Sequence, residues 1–211
     1  DIWIMNIEIC KDDKCFPFLF VDDWYNSEEE DLVWKELDFY KNDYSFFRSE
    51  DDPGSAFFGD GASKAKSFRL YLDSVYTEYG RGKSAILRAM SKVFSDEMKD
   101  AVRKTTPVSR NFLTTNRDST VVNYYEDGEN YKPHFDAFIM SVIIWFHKSP
   151  KAYTGGDFVF TDSGIKIESN HNRLIMFPCF YDHESEPVIL KNVPKLSGLG
   201  RYSIVHFYYR I

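Results

Sequence analysis

Residues 120–146 run TVVNYYEDGENYKPHFDAFIMSVIIWF, two stretches of β-branched and aromatic residues separated by a polar turn and an H-x-D pair. Val, Ile, Thr, Tyr, Phe and Trp pack well on a pleated surface, and E-D-G-E-N is turn chemistry, so the stretch predicts strand, turn, strand. The pattern extends to both sides. FLTT, GGDFVF, IKIE, RLIMF, PVIL and RYSIVHFYY follow at short intervals, giving eight or nine strands from Asn111 onward. Such a series predicts a β-sandwich or barrel.

Upstream the period changes. Phe16–Val21 reads as a buried strand, and Ser27 followed by Glu30 forms an S-x-x-E capping box that opens a helix to about Tyr40. Ile86, Leu87, Met90, Val93, Phe94 and Met98 fall on one face of a second helix and read as core. The fold class expected is therefore α+β, with N-terminal helices packed on one sheet. At 211 residues the chain fits a single domain, 1–211, in which 1–110 is a helical support region and 111–211 the β-barrel core. Between them, residues 45–67 mix Gly54, Gly59 and Gly61 with the pairs Phe46–Phe47 and Phe57–Phe58. That composition suits a mobile lid, or a loop anchored by its phenylalanines.

Composition excludes several classes. With 43% hydrophobic and 28% charged residues the chain has apolar mass for a packed core and is not of disordered type. Net charge is −7, and residues 22–52 hold twelve acidic against three basic residues, which reads as a solvated face. No basic stripe is visible to neutralise phosphates, so duplex nucleic acid is not an expected partner. No apolar run is long enough for a membrane span and no secretory signal is seen, so the expected location is cytoplasmic. Cys10, Cys15 and Cys179 are odd in number and unpaired in spacing, which reads as reduced thiols.

The chemistry centres on His134 and Asp136. Two positions apart on a strand, they share a face. His183, 47 positions after Asp136, lies between two predicted strands, and two imidazoles with one carboxylate suit Fe(II) while leaving coordination positions open. Taken alone, H-x-D equally fits a surface pair on an edge strand.

The order NYYEDGENYKPHFD, SVIIWF, TGGDFVF, RLIMFPCFYDHESEPV, GRYSIVHFYY resembles the 2-oxoglutarate- and Fe(II)-dependent dioxygenases of the prolyl 4-hydroxylase-like branch, over Val121 to Tyr209. The resemblance implies a double-stranded β-helix, a jelly-roll or cupin-like barrel. It implies His134, Asp136 and His183 as metal ligands and catalytic residues, with Fe(II), 2-oxoglutarate, O2 and ascorbate as the chemical partners. Arg201 would bind the distal carboxylate of 2-oxoglutarate, with Ser203 and Tyr124 beside it; Trp145 and Phe207 would line the pocket or touch substrate, or are barrel core. The implied reaction hydroxylates a C–H bond, foremost in a prolyl residue of a peptide or protein, with succinate and CO2 as co-products. A free amino acid or other small molecule is the alternative substrate, and a non-catalytic binding barrel the alternative class.

Alternation supports Arg201, since Arg201, Ser203, Val205 and Phe207 share one strand face and His206 lies on the other. One departure is spacing: Arg201 stands eighteen positions after His183, farther than is usual in the family, and Lys191 is the alternative if spacing decides. His147 and His171 read as solvent-exposed, and Tyr131 as a weaker candidate than Tyr124.

Overall fold

The structure, a computed structural model, describes residues 5–11, 16–43, 47, 56–77 and 79–211. Strands β1 (Ile7–Cys10) and β2 (Phe18–Val21) precede helix α1 (Ser27–Asn42); β3 (Phe68–Tyr71) runs into the one-turn α2 (Leu72–Val75). Helices α3 (Ala85–Ala89) and α4 (Asp96–Arg103) follow. The remainder is β4 (Arg117–Tyr125), β5 (Tyr131–His134), β6 (Met140–Phe146), β7 (Thr154–Gly155), β8 (Phe158–Phe160), β9 (Ile165–Ile167), β10 (Leu174–Pro178), β11 (His183–Ser185), β12 (Val188–Ile189) and β13 (Arg201–Tyr209).

These strands form a seven-stranded sheet, β1-β2-β10-β6-β13-β4-β3, and a four-stranded sheet, β5-β11-β8-β9, with β12-β7 a separate pair. The two larger sheets face each other as a jelly-roll barrel. Phe18, Trp145, Ile175 and Val205 of the large sheet pack against Phe158, Phe160 and Ile167 of the small one. The other face of the large sheet is covered by the helices: Val33, Leu37, Ile86, Met90, Val93 and Met98 join Val122, Ile144, Ile204 and Tyr208 in one cluster. Strand β6 is buried on both faces, which is why MSVIIWF shows no polar alternation.

Local chemistry moved several boundaries. The cap of α1 is Asn26, not Ser27: its side chain accepts from Glu29 N while Glu29 accepts from Asn26 N, the same box one residue earlier. The predicted second helix is split, because Ser95 takes an extended conformation and caps α4 with its hydroxyl, ending a 3-10 segment at Phe94. FLTT is not a strand. Thr114 and Thr115 donate their hydroxyls back to Asn111 O and Phe112 O, holding 109–114 as a 3-10 turn. Nor is 1–110 purely helical support, since it supplies β1, β2 and β3 to the large sheet.

The acidic stretch is only partly a solvated face. Glu29 pairs with Lys92, Asp38 with Lys148 and Asp22 with Arg173, while Glu36 accepts from Ser84 and Ile86 N. His171 is likewise not solvent-exposed; it stacks on Trp34 and its Nε2 lies 2.8 Å from Glu30, and half-buried His147 takes His171 Nδ1 on its backbone N–H. No helix among the described residues is long and apolar enough to cross a membrane.

Candidate metal and co-substrate site

His134 ends β5 and pairs directly across the small sheet with His183 of β11. Side chains opposite each other on neighbouring strands stand side by side, so register alone brings the two imidazoles together. Asp136 lies just past the end of β5, held by its N–H to Cys179 O. The result is close convergence: His134 Nε2 is 3.7 Å from Asp136 Oδ1, and His183 Nε2 is 3.7 Å from Asp136 Oδ2. Each histidine places Nδ1 2.8 Å from a backbone carbonyl, Lys132 O for His134 and Tyr181 O for His183. A carbonyl only accepts, so Nδ1 carries the proton and the Nε2 lone pairs face Asp136.

The electrostatics agree with that tautomer. Burial, and then the neighbouring His183, push the His134 pKa down to about 2, so the ring is neutral at neutral pH. Burial raises Asp136, opposed by His183 and by the Ser141 hydroxyl that donates to Oδ2. Two imidazole nitrogens and a carboxylate, all within 4.8 Å of one another, fit one divalent metal.

Across a cavity of about 490 Å3 from this group lies Arg201. It is buried, one N–H donates to Gly156 O, and the guanidinium sits 4.2 Å over the Tyr125 ring. Its Nε has no hydrogen-bond partner among the described residues, and burial lowers its pKa. A desolvated fork with an unmet donor fits a carboxylate ligand. The glycines of TGGDF make room for it: at Gly156, φ +71°, an added Cβ would meet Val188 Cγ2 at 2.9 Å and Arg201 Cδ at 3.4 Å.

Of the predicted site residues, His134, Asp136, His183, Arg201, Ser203, Trp145 and Phe207 all line this cavity. Tyr124 does not. Its ring packs on Tyr202 in the helix-side core and its hydroxyl accepts from Gly198 N and Gly200 N. The inward positions of β4 are Val121, Asn123 and Tyr125, so the tyrosine beside Arg201 is Tyr125. Lys191 is exposed on the loop after β12 and does not line this cavity. His206 points away, buried against Thr120 at 2.8 Å. Tyr131, ranked lower from sequence, stacks on His134 with centroids 3.5 Å apart and accepts from Ala56 N. Sequence reasoning missed Arg69 and Asn123, which lie in adjacent register on β3 and β4; an arginine and an asparagine within strands were the available signal.

A jelly-roll barrel with two histidines and one carboxylate converging in its cavity defines a non-haem iron oxygenase. Residues 120–209 match the model of the 2OG-Fe(II) oxygenase superfamily, and this stretch contains His134, Asp136, His183 and Arg201. No match is found among curated proteins. Among solved structures, a Pseudomonas putida prolyl-4-hydroxylase is similar at TM-score 0.58 and 14% identity, with 92% of each chain covered. A Trichoplax adhaerens prolyl hydroxylase in complex with a hypoxia inducible factor peptide fragment reaches TM-score 0.61 at 18% identity, covering 91% of this chain and 83% of that one. NgTET1 in complex with 5mC DNA reaches 0.53 at 15%, covering 92% and 72%. At these identities the likeness is one of fold.

Proposed function

We propose that the chain is a single oxygenase domain that hydroxylates a C–H bond of a prolyl residue in a peptide or protein, with succinate and CO2 as co-products and ascorbate as reductant. The observation that carries this reading is the buried Arg201, with its unmet donor, facing the His134–Asp136–His183 group across one cavity. In it the three residues hold Fe(II), and Arg201 grips the distal carboxylate of 2-oxoglutarate, aided by Ser203 and Tyr125. When bound, the metal and co-substrate supply the oxidising power. The protein fixes their geometry: Trp145 and Phe158 wall the inner cavity against water, and Ser141 orients Asp136.

A peptide is favoured over duplex DNA by the rim. Phe135 is 63% exposed and Phe138 41%, the latter stacked on Phe207 at 4.8 Å, and the chain lacks a basic stripe. Exposed aromatic surface suits a peptide, and the fold is shared with a prolyl hydroxylase solved with one. Incubation with Fe(II), O2, 2-oxoglutarate and proline-containing peptides should yield succinate in step with hydroxyproline, and His183→Ala should yield neither. Full activity in His183→Ala would refute the assignment.

A further inference from the structure

Strand β5 carries one residue more than the strand it pairs with. His134 stands opposite His183 and Tyr131 opposite Ser185, so three steps along β5 match two along β11. Alternation over three positions would put Tyr131 and His134 on opposite faces of the sheet. The extra residue, in the Lys132–Pro133 stretch, brings both back to the cavity side, and both line the cavity. Proline suits such a bulge because it has no N–H to leave unpaired. The consequence is a face-to-face stack, with the Tyr131 and His134 ring centroids 3.5 Å apart and the planes 12° from parallel.

The bulge is joined to the segment beside it. Lys132 N donates to Lys64 O, Lys64 Nζ donates to Pro133 O at 2.8 Å, and Lys132 O takes the Nδ1 proton of His134. The Tyr131 hydroxyl accepts from Ala56 N at 3.0 Å, and Ala56 itself lines the cavity. A continuous path therefore runs from His134 through a ring face and a hydroxyl to a backbone amide in the cavity wall. The stack responds to what His134 holds. An imidazole bound through Nε2 to a divalent cation is electron-poor, and an electron-poor ring is held more firmly on the face of a tyrosine. With Nδ1 already on Lys132 O, such an imidazole is fixed at both nitrogens, and the ring stacked on it has less room to move.

Resting on the metal-binding reading above, we infer that Tyr131 is a positioning residue that couples metal occupancy at His134 to the cavity wall at Ala56. Occupancy strengthens the Tyr131–Ala56 hydrogen bond, and by reciprocity that bond tightens metal binding.

The test uses the whole chain and Zn(II) alone, so it needs neither substrate nor turnover. In the unmodified protein Zn(II) should slow amide exchange at Ala56 by at least about fivefold, the lower end of coupling between linked sites. Tyr131→Phe keeps the ring and loses the acceptor. Exchange at Ala56 should then be fast and indifferent to Zn(II), and Zn(II) affinity should fall by the factor by which the metal slowed exchange in the unmodified protein, within about threefold. Tyr131→Leu removes the ring as well and should lose more affinity than Tyr131→Phe, up to about 100-fold. The ligand-field absorption of the Co(II)-loaded protein should move in Tyr131→Leu and be retained in Tyr131→Phe. Because Tyr131→Phe removes a single oxygen, it decides the matter even if Tyr131→Leu fails to fold. Exchange at Ala56 that ignores Zn(II) in the unmodified protein, or Zn(II) affinity in Tyr131→Phe that is undiminished or falls outside that range, overturns the inference. Failure of the unmodified protein to bind Zn(II) or Fe(II) refutes the metal-binding reading itself, and is seen in the first titration.

Discussion

Arg201 carries a charge into a place where water cannot solvate it, and its value lies in what it meets there. Truncating one partner of a buried charge pair costs roughly 2–5 kcal/mol, so Arg201→Ala should weaken 2-oxoglutarate binding by between tens and thousands of fold while metal binding survives. Lys191→Ala, on the exposed loop, should leave both unchanged; the opposite result would show that spacing outranks strand context. Ser141 offers a finer probe. Its hydroxyl is buried between Asp136 Oδ2 and Cys179 Sγ, so it orients the Asp136 carboxylate without joining the donor group. Ser141→Ala should weaken Mn(II) or Fe(II) binding by about 10–100-fold and Ser141→Thr should restore part of it, read by metal titration. Unchanged metal affinity in the alanine variant would reduce Ser141 to packing. The grouping of His134, Asp136 and His183 was legible from the order of motifs along the chain, since H-x-D taken alone fits a surface pair equally well. The choice of Tyr124 over Tyr125 was not, because which face of β4 looks inward is set by its pairing with β13, Tyr125 against Arg201, and alternation fixes a period without a phase.

Elements tell the same story of local rules meeting tertiary ones. RYSIVHFYY reads correctly as a strand with Arg201, Ser203, Val205 and Phe207 on one side because period two survives burial. The Ser27 box and the FLTT strand fail because short polar side chains have several backbone partners within reach, and the structure uses Asn26, Thr114 and Thr115. The 45–67 segment is the instructive case. Phe46 and Gly54 lie outside the described residues, Phe47 packs on the core, and Phe57 and Phe58 are 41% and 44% exposed. From Ala56 onward the segment is tied to β5: Lys66 N donates to Asn130 O, Lys132 N to Lys64 O, and Ala65 bridges Tyr131. The described part therefore behaves as an added edge of the small sheet. Hydrogen exchange should find the amides of Lys66 and Lys132 protected in the free protein. Rapid exchange at both, slowed only when a peptide and a non-reacting co-substrate analogue are added, would restore the lid.

The whole molecule sandwiches its large sheet between the site cavity and an apolar helical layer, and His206 is on the wrong side of that sheet for catalysis but the right side for stability. It is fully buried in the helix-side layer, its Nδ1 2.8 Å from Thr120 Oγ1, and burial followed by the positive charge of Arg81 lowers its pKa to about 3. In the unfolded chain the same imidazole titrates near 6.5. The folded value is the lower of the two, so acid protonates the unfolded chain first: the stabilisation is fully present above about pH 6.5 and is lost as pH falls from there toward 3. The slope for one proton is about 1.4 kcal/mol per pH unit, or roughly 2 kcal/mol between pH 6.5 and 5. His134 is displaced the same way, so the comparison must be made at one fixed state of metal loading. Urea unfolding from pH 7 to 4.5 should then show a limb in His206→Gln flatter than that of the unmodified protein by about one proton, even though the variant starts less stable. Parallel limbs would mean that the buried imidazole takes up its proton without unfolding, and that the acid sensitivity of the fold resides in the cavity and not in the layer behind it.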